Sequence, residues 1–140
     1  MKLHPDASPQ QNTVTGYGAG YIEINQQRFE HSLLVMADTP VQAWPPSTLE
    51  ALDASHFEML AALAPEVVVF GSGAKLRFPH PRLFATLTAR RIGVETMDTQ
   101  AACRTYNILI SEGRRVAAAL LIEPTTETPS PLVPTDGANR

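Results

Sequence analysis

Val67-Val68-Val69-Phe70 is the stretch that most limits what this chain can become. It is strand-length, has no polar face, and runs straight into Gly71-Ser72-Gly73. A run of this kind suits a strand covered on both faces. The covering layers have to come from the rest of one modest chain. Its 140 residues argue for a single domain. A chain near this size hides about 68–70% of its unfolded surface, enough for one real core.

The neighbouring elements supply the layers. Upstream, Val14 to Gly20 carries glycines at every second position, on one face of a strand where something approaches the backbone closely, or else at turns or a bulge. Tyr21-Ile22-Glu23-Ile24 alternates, Asn25-Gln26 turns, and Gln27-Arg28-Phe29 returns as a hairpin. Ser32 to Met36 is a further strand, after which Pro40, Pro45 and Pro46 interrupt regular structure. Ser55-His56-Phe57-Glu58 and Ser47-Thr48-Leu49-Glu50 both have capping-box form, so either can open the next helix. Phe57, Leu60 and Leu63 make its apolar stripe, and Pro65 stops it.

Downstream the chain alternates. Pro81 starts a helix that runs to about Arg91, with Leu83, Phe84 and Leu87 inward. Val94 to Met97 is a short strand, and Asp98 or Thr99 caps the next helix. On that helix Gln100, Arg104, Asn107 and Ser111 form a polar stripe, while Ala102, Tyr106 and Leu109 face a core. Gly113 ends it, and Val116 to Ile122 is the last strand. The expected fold is a single α/β domain: an N-terminal β-hairpin region followed by βαβαβ.

The ends read differently. Residues 1–13 and the Pro-rich stretch 123–140 lack apolar periodicity and are expected to be flexible tails around a domain at 14–122. The longest apolar run, Val116 to Ile122, is far short of the about 20 residues of a membrane helix. The N-terminus has no apolar signal stretch. One cysteine, Cys103, allows no intrachain disulfide and suits a reducing compartment. The expected home is the cytoplasm.

Charge is unevenly spread. Residues 1–70 sum to −6, residues 71–115 to +5 and residues 116–140 to −2. The net of −3 argues against general nucleic-acid affinity. The basic middle is either a local patch or a set of solvated charges on two helices.

Candidate chemistry is thin. Gly71-Ser72-Gly73 sits at the carboxyl end of a buried strand, the edge where open α/β sheets bind ligands. It lacks the third glycine of a dinucleotide fingerprint, Leu76 standing there, and the Gly-Lys-Ser/Thr of a phosphate loop. It is either a plain turn or a ligand contact. Met97-Asp98-Thr99 ends the next strand. If those two strands are neighbours, helix amides, the Ser72 and Thr99 hydroxyls and Arg104 form an anion pocket; the competing reading is simple capping by Asp98. Cys103 reads as a buried inert thiol. His4, His31, His56 and His80 show no metal spacing. No nucleophile elbow or carboxylate pair stands out.

Several blocks together are specific. Gly16-Tyr17-Gly18, the 67–73 run, Gly93 to Thr99, Ala102 to Leu109 and Glu112 to Val116 resemble one widespread family of small, largely uncharacterised proteins of bacteria and archaea. Its mitochondrial relatives include respiratory complex I assembly factor 3, and an animal relative is the adipogenesis-associated protein of this domain type. The resemblance spans about residues 14–122, and its most specific part runs from Met97-Asp98-Thr99 to Thr105-Tyr106-Asn107. It implies a three-layer α/β fold with a central mixed sheet, one strand antiparallel to the others. It carries over no catalytic residue.

The expected function is a non-catalytic cytoplasmic binding or assembly module, with no cofactor or metal and with a protein partner. The alternative is a small-molecule or anion site, enzymatic or not, at the 71–73 and 97–99 loops. The candidate contacts are Gly71, Ser72, Gly73, Asp98, Thr99, Arg104 and Asn107. Oligomeric state has no sequence signature here.

Overall fold

Val67–Gly71 forms a strand buried at every position, and its side chains divide cleanly between two cores. Val67 and Val69 face one side, while Val68 and Phe70 face the other. This strict alternation is the period-two geometry of a strand with cover on both sides. The computed structural model describes residues 11–124.

Numbered along the chain, the strands are β1 (Val14–Gly18), β2 (Tyr21–Ile24), β3 (Gln27–Phe29), β4 (Leu33–Met36), β5 (Gln42–Ala43), β6 (Val67–Gly71), β7 (Gly93–Met97) and β8 (Val116–Leu120). The helices are α1 (Ala54–Ala62), α2 (Ala85–Ala89) and α3 (Thr99–Ser111). Strands β1-β2-β3 make a small antiparallel sheet, and the other five lie in the order β5-β4-β8-β6-β7. Strands β6, β7 and β8 are parallel, and β4 pairs antiparallel with both β8 and β5. So β4 alone runs against the rest, and the sheet is mixed as the family resemblance implies.

One face of the large sheet carries α3 and the small sheet. Ile22, Ile24, Ala102, Cys103, Tyr106 and Ile110 pack there on Val69, Ala118 and Leu120. The other face carries α1, α2 and Trp44, with Phe57, Leu60 and Leu87 over Val68, Phe70 and Ala119. The Phe57 ring meets Phe70 at 5.8 Å and Phe84 at 4.9 Å, edge to face, and Trp44 closes the group from 5.8 Å. Each such buried ring contributes about 1.5–3 kcal/mol.

The hairpin turns at Asn25-Gln26 as expected, with φ of 50° and 69°, the left-handed pair that a tight hairpin requires. The close approach expected at the N-terminal glycines is real at Gly18: a Cβ there would lie 2.6 Å from the Tyr21 ring.

Four local expectations shift. Helix α1 is capped by Asp53, whose carboxylate accepts from the Ser55 amide while His56 Nδ1 accepts from the Asp53 amide. Ser55 sits inside the first turn, since a carboxylate two residues earlier outcompetes its hydroxyl. The Thr48 site opens only a 3-10 turn at Leu49–Ala51. The segment from Pro81 begins as a 3-10 turn, Pro81–Phe84, and continues as a five-residue α2 that Arg91, at φ 60°, has already ended. Strand β5 has no sequence signature, since two residues between prolines carry no alternation; it is held by Leu33 and Leu34 and by the Trp44 amide donating to Ser32 O.

The expected tails fall mostly outside the described residues. Just beyond 14–122, Asn12 donates through its side chain to Met36 O and receives the Tyr106 hydroxyl on its carbonyl. No helix among the described residues is long and apolar enough to cross a membrane.

Candidate functional site

Strands β6 and β7 are adjacent and parallel, and their carboxyl ends diverge. The chain leaves β6 toward α2 on one face and leaves β7 into α3 on the other. Such a divergence opens the crevice where open α/β sheets hold ligands. Here Gly71, Ser72, Gly73, Asp98 and Thr99 do come together, as the neighbouring-strand condition requires.

What they form is a seam. The Ser72 amide donates to Met97 O at 2.8 Å, and the Thr99 amide to Gly73 O at 2.9 Å. The Thr99 hydroxyl accepts from the Gly73 amide at 2.8 Å and donates to Leu121 O at 2.8 Å, both bonds buried. The Leu121 amide in turn donates to Gly71 O. One threonine thus ties the ends of β6 and β8 to the start of α3. Gly71 is required by this closeness: a Cβ there would stand 2.9 Å from both Thr99 Cα and Oγ1. The Ser72 hydroxyl donates to Lys75 O at 2.6 Å and accepts from the Arg77 amide at 3.0 Å, which folds the following loop back on itself.

Three of the first four amides of α3, those of Thr99, Ala101 and Ala102, are engaged within the protein. Asp98 Oδ1 accepts from the Ala101 amide at 2.9 Å, so the capping reading of Asp98 is realised. The Ala102 amide closes the first helical bond to Asp98 O, and the Thr99 amide is held by Gly73.

A residue that sequence reading placed in the tail completes the region. The Glu123 carboxylate lies against Gly73, where an added Cβ would fall 2.7 Å from Oε1. Arg77 reaches Glu123 at 3.3 Å and Glu50 at 2.7 Å. The Glu50 hydrogen bond holds the Arg77 guanidinium above its usual range, and Arg77 holds the Glu50 carboxyl below its own. No motif marks Glu123; only the fold brings it to the loop.

Beside the seam is a cleft of about 80 Å³ between the β1–β2 turn, Gly73, Gln100 and Glu123. Small-molecule sites run to about 300–1,000 Å³, so this cleft suits a small group or a few waters. Among the described residues, the only charged one lining it is Glu123, an acid.

Arg104 and Asn107 lie further along α3 and engage β1. The exposed Arg104 donates through Nη1 to the Tyr17 hydroxyl at 3.0 Å, and this bond chiefly raises its pKa. Asn107 leaves the solvent stripe expected for it. Its Oδ1 accepts from the Val14 amide at 3.0 Å, and its Nδ2 donates to Val14 O at 2.8 Å. The side-chain amide thus serves as a strand partner for β1, satisfying groups that an edge leaves open.

Cys103 is buried in the core, and burial pushes its thiol up to about 12. The basic middle segment is dispersed. Arg114 pairs with Glu66 at 2.7 Å, Arg115 donates to the carbonyls of Leu63 and Ala64, and Arg90 donates to Ala61 O. Past the seam, the loop before α2 holds Leu76 and Phe78 in solvent, 54% and 69% exposed.

Comparison with known proteins agrees with the fold. The sequence pattern of a family described as "Protein of unknown function (DUF498/DUF598)" matches residues 14–121. A mouse protein named NADH dehydrogenase [ubiquinone] 1 alpha subcomplex assembly factor 3 is 34% identical over 122 residues, 86% of this chain and 65% of that protein. The chain therefore spans just under two thirds of that relative's length. A Francisella tularensis protein named 13 kDa major membrane protein is 24% identical over 75% of this chain and 86% of its own. The crystal structure of a Bordetella parapertussis protein superposes with a TM-score of 0.79 at 47% identity, over 83% of this chain and 99% of that one. The matched span covers every strand and helix described above, and the chain belongs to the DUF498/DUF598 family, proteins of unknown function.

Proposed function

We propose that this protein is a non-catalytic, cytoplasmic binding module that serves the assembly of a membrane-bound complex of the respiratory type. The observation that carries the reading is the seam. At the edge where α/β enzymes keep reactive groups available, Thr99 spends its hydroxyl on Gly73 and Leu121, and Ser72 spends its own on Lys75 and Arg77. Both hydroxyls are held by backbone groups with no side-chain base among their partners, which supports a scaffold role over a nucleophilic one. The name of the mouse relative, an assembly factor for NADH dehydrogenase, supplies the class of partner. The name of the Francisella relative supports work at a membrane.

The test is made in the native cell. Removing the protein should lower the amount of mature NADH dehydrogenase on native gels, and the tagged protein should co-purify with a subunit of that complex. Normal complex levels and no co-purifying subunit, together with turnover of a small substrate, would overturn the reading.

A second reading rests on the cleft beside Glu123. Thermal-shift screening with phosphate, nucleotides, carboxylates and small amines separates it. The acid in the cleft favours the amines over the anions.

A further inference from the structure

Three large apolar side chains are well exposed among the described residues: Leu76 at 54%, Phe78 at 69% and Ile108 at 56%. Ile108 stands alone on α3. Leu76 and Phe78 share one loop with Lys75, His80 and Arg82, all exposed. We propose that this loop, 75–82, docks on an anionic lipid surface, with Leu76 and Phe78 entering the interfacial layer and Lys75 and Arg82 facing headgroup phosphates.

Charge complementarity selects this occupant. Within the loop itself, residues 75–82, the chain has no acidic side chain and three cations, Lys75, Arg77 and Arg82. Glu50 and Glu123, which approach the loop in space, are both engaged by Arg77. Lys75 and Arg82 enter no ion pair among the described residues and stay available. The protein as a whole is acidic, at −3, so an anionic surface would be met by this face and not by a general attraction. The size of the patch also decides. A stable protein–protein interface covers about 800 Å² on each partner, far more than two side chains on a loop supply. An exposed apolar pair with an unpaired lysine and arginine in the same loop is what interfacial anchoring uses.

The loop is built to hold this shape. Ser72 bridges Lys75 O and the Arg77 amide, Pro79 is buried, and His80 accepts from the Arg82 amide to start the turn at Pro81. Leu76 and Phe78 are therefore held outward before any encounter, which reduces the ordering cost of docking. The inference goes beyond the assembly reading and stands or falls separately.

The experiment is flotation of the full chain with vesicles of phosphatidylcholine alone or mixed with phosphatidylglycerol. The wild type should float with the mixed vesicles only, and added salt should weaken binding. Lys75→Gln and Arg82→Gln should each cost about fivefold in affinity. Leu76→Ser with Phe78→Ser should cost about tenfold or more. Ile108→Ser should float like the wild type. A Phe78→Trp variant should show a blue shift in emission on the mixed vesicles, against the constant signal of buried Trp44. The proposal is overturned if the wild type stays with the unbound fraction, if the double serine variant floats as well as the wild type, or if Ile108→Ser loses as much. Absence of lipid binding with the NADH dehydrogenase subunit still recovered sinks this inference alone. If the double serine variant instead loses that subunit and no form binds lipid, the loop belongs to a protein partner and the lipid proposal fails.

Discussion

Gly71–Gly73 and Lys75–Phe78 are separated by a single residue and meet their surroundings in opposite ways. The first stretch is buried throughout, and its backbone and hydroxyl groups are spent on Met97, Thr99, Leu121 and the loop itself. The second extends a lysine and two large apolar side chains into solvent. The difference teaches where to look for function in this fold. The glycine step resembles a ligand loop in sequence, and its groups bond to Met97, Thr99 and Leu121. The residues after it have no recognisable motif, yet they hold two large apolar side chains in solvent.

The comparison breaks most visibly at the base of the joint. Phe70→Ala removes a ring with no exposure and leaves a void against Phe57 and Trp44. It should cost about 3–5 kcal/mol in a denaturant titration. A loss below about 1 kcal/mol would show that the strand under the joint is not the core strand described here.

Thr99→Val comes next. It preserves shape and deletes the hydroxyl, stranding the buried Gly73 amide and Leu121 carbonyl. At about 1–3 kcal/mol per stranded group, a loss of about 2–4 kcal/mol is expected. A neutral outcome would mean the seam is not held by this side chain, and the ligand reading of the loop would gain.

Asn107→Ala tests a smaller joint of the same kind. It unpairs both backbone groups of Val14 at a half-buried position, and about 1–2 kcal/mol should be lost. Asn107→Leu should not restore it, since bulk is not what the site provides. Hydrogen exchange at the Val14 amide should quicken in both variants.

Arg104→Ala separates the two uses of a surface cation. Its bond to the Tyr17 hydroxyl is solvent-exposed, so stability should change by less than about 1 kcal/mol. Loss of a bound partner in this variant, with the fold intact, would extend the functional surface onto α3. Silence in both assays would remove Arg104 from the candidate contacts.

The smallest effect belongs to the exposed pair. Leu76→Ser with Phe78→Ser should leave the melting midpoint nearly unchanged, within about 0.5 kcal/mol of the wild type. A larger loss would show that the loop packs on something, and the contrast with the seam would weaken.

How much of this was legible follows from the range of each signal. The 67–70 run, the Asn25-Gln26 turn, the Asp98 cap and the Gly113 stop are local, and each depends on residues within a few positions. They read correctly because local sterics and local hydrogen bonding determine them. The cap of α1 is not legible in the sequence, where the Ser55 and Ser47 boxes are equally open, and the structure uses the Asp53 carboxylate. For the candidate site, the sequence found the meeting of 71–73 with 97–99, since parallel neighbours bring such ends together. It did not find Glu123, whose partners Arg77 and Ala74 lie more than forty residues away.

By itself, then, the sequence determined the alternation of strand and helix and the double cover of β6. Periodicity and turn chemistry act over a few residues and need no distant partner. Only the tertiary structure decided which groups meet at the glycine step. A hydroxyl at Thr99 can hold a ligand or a neighbouring backbone with equal chemistry, and the choice lies in what stands within 3 Å. Here Gly73 and Leu121, brought in from β6 and β8, stand at 2.8 Å and occupy it. The same packing leaves Leu76 and Phe78 outside, because the joint behind them is already full.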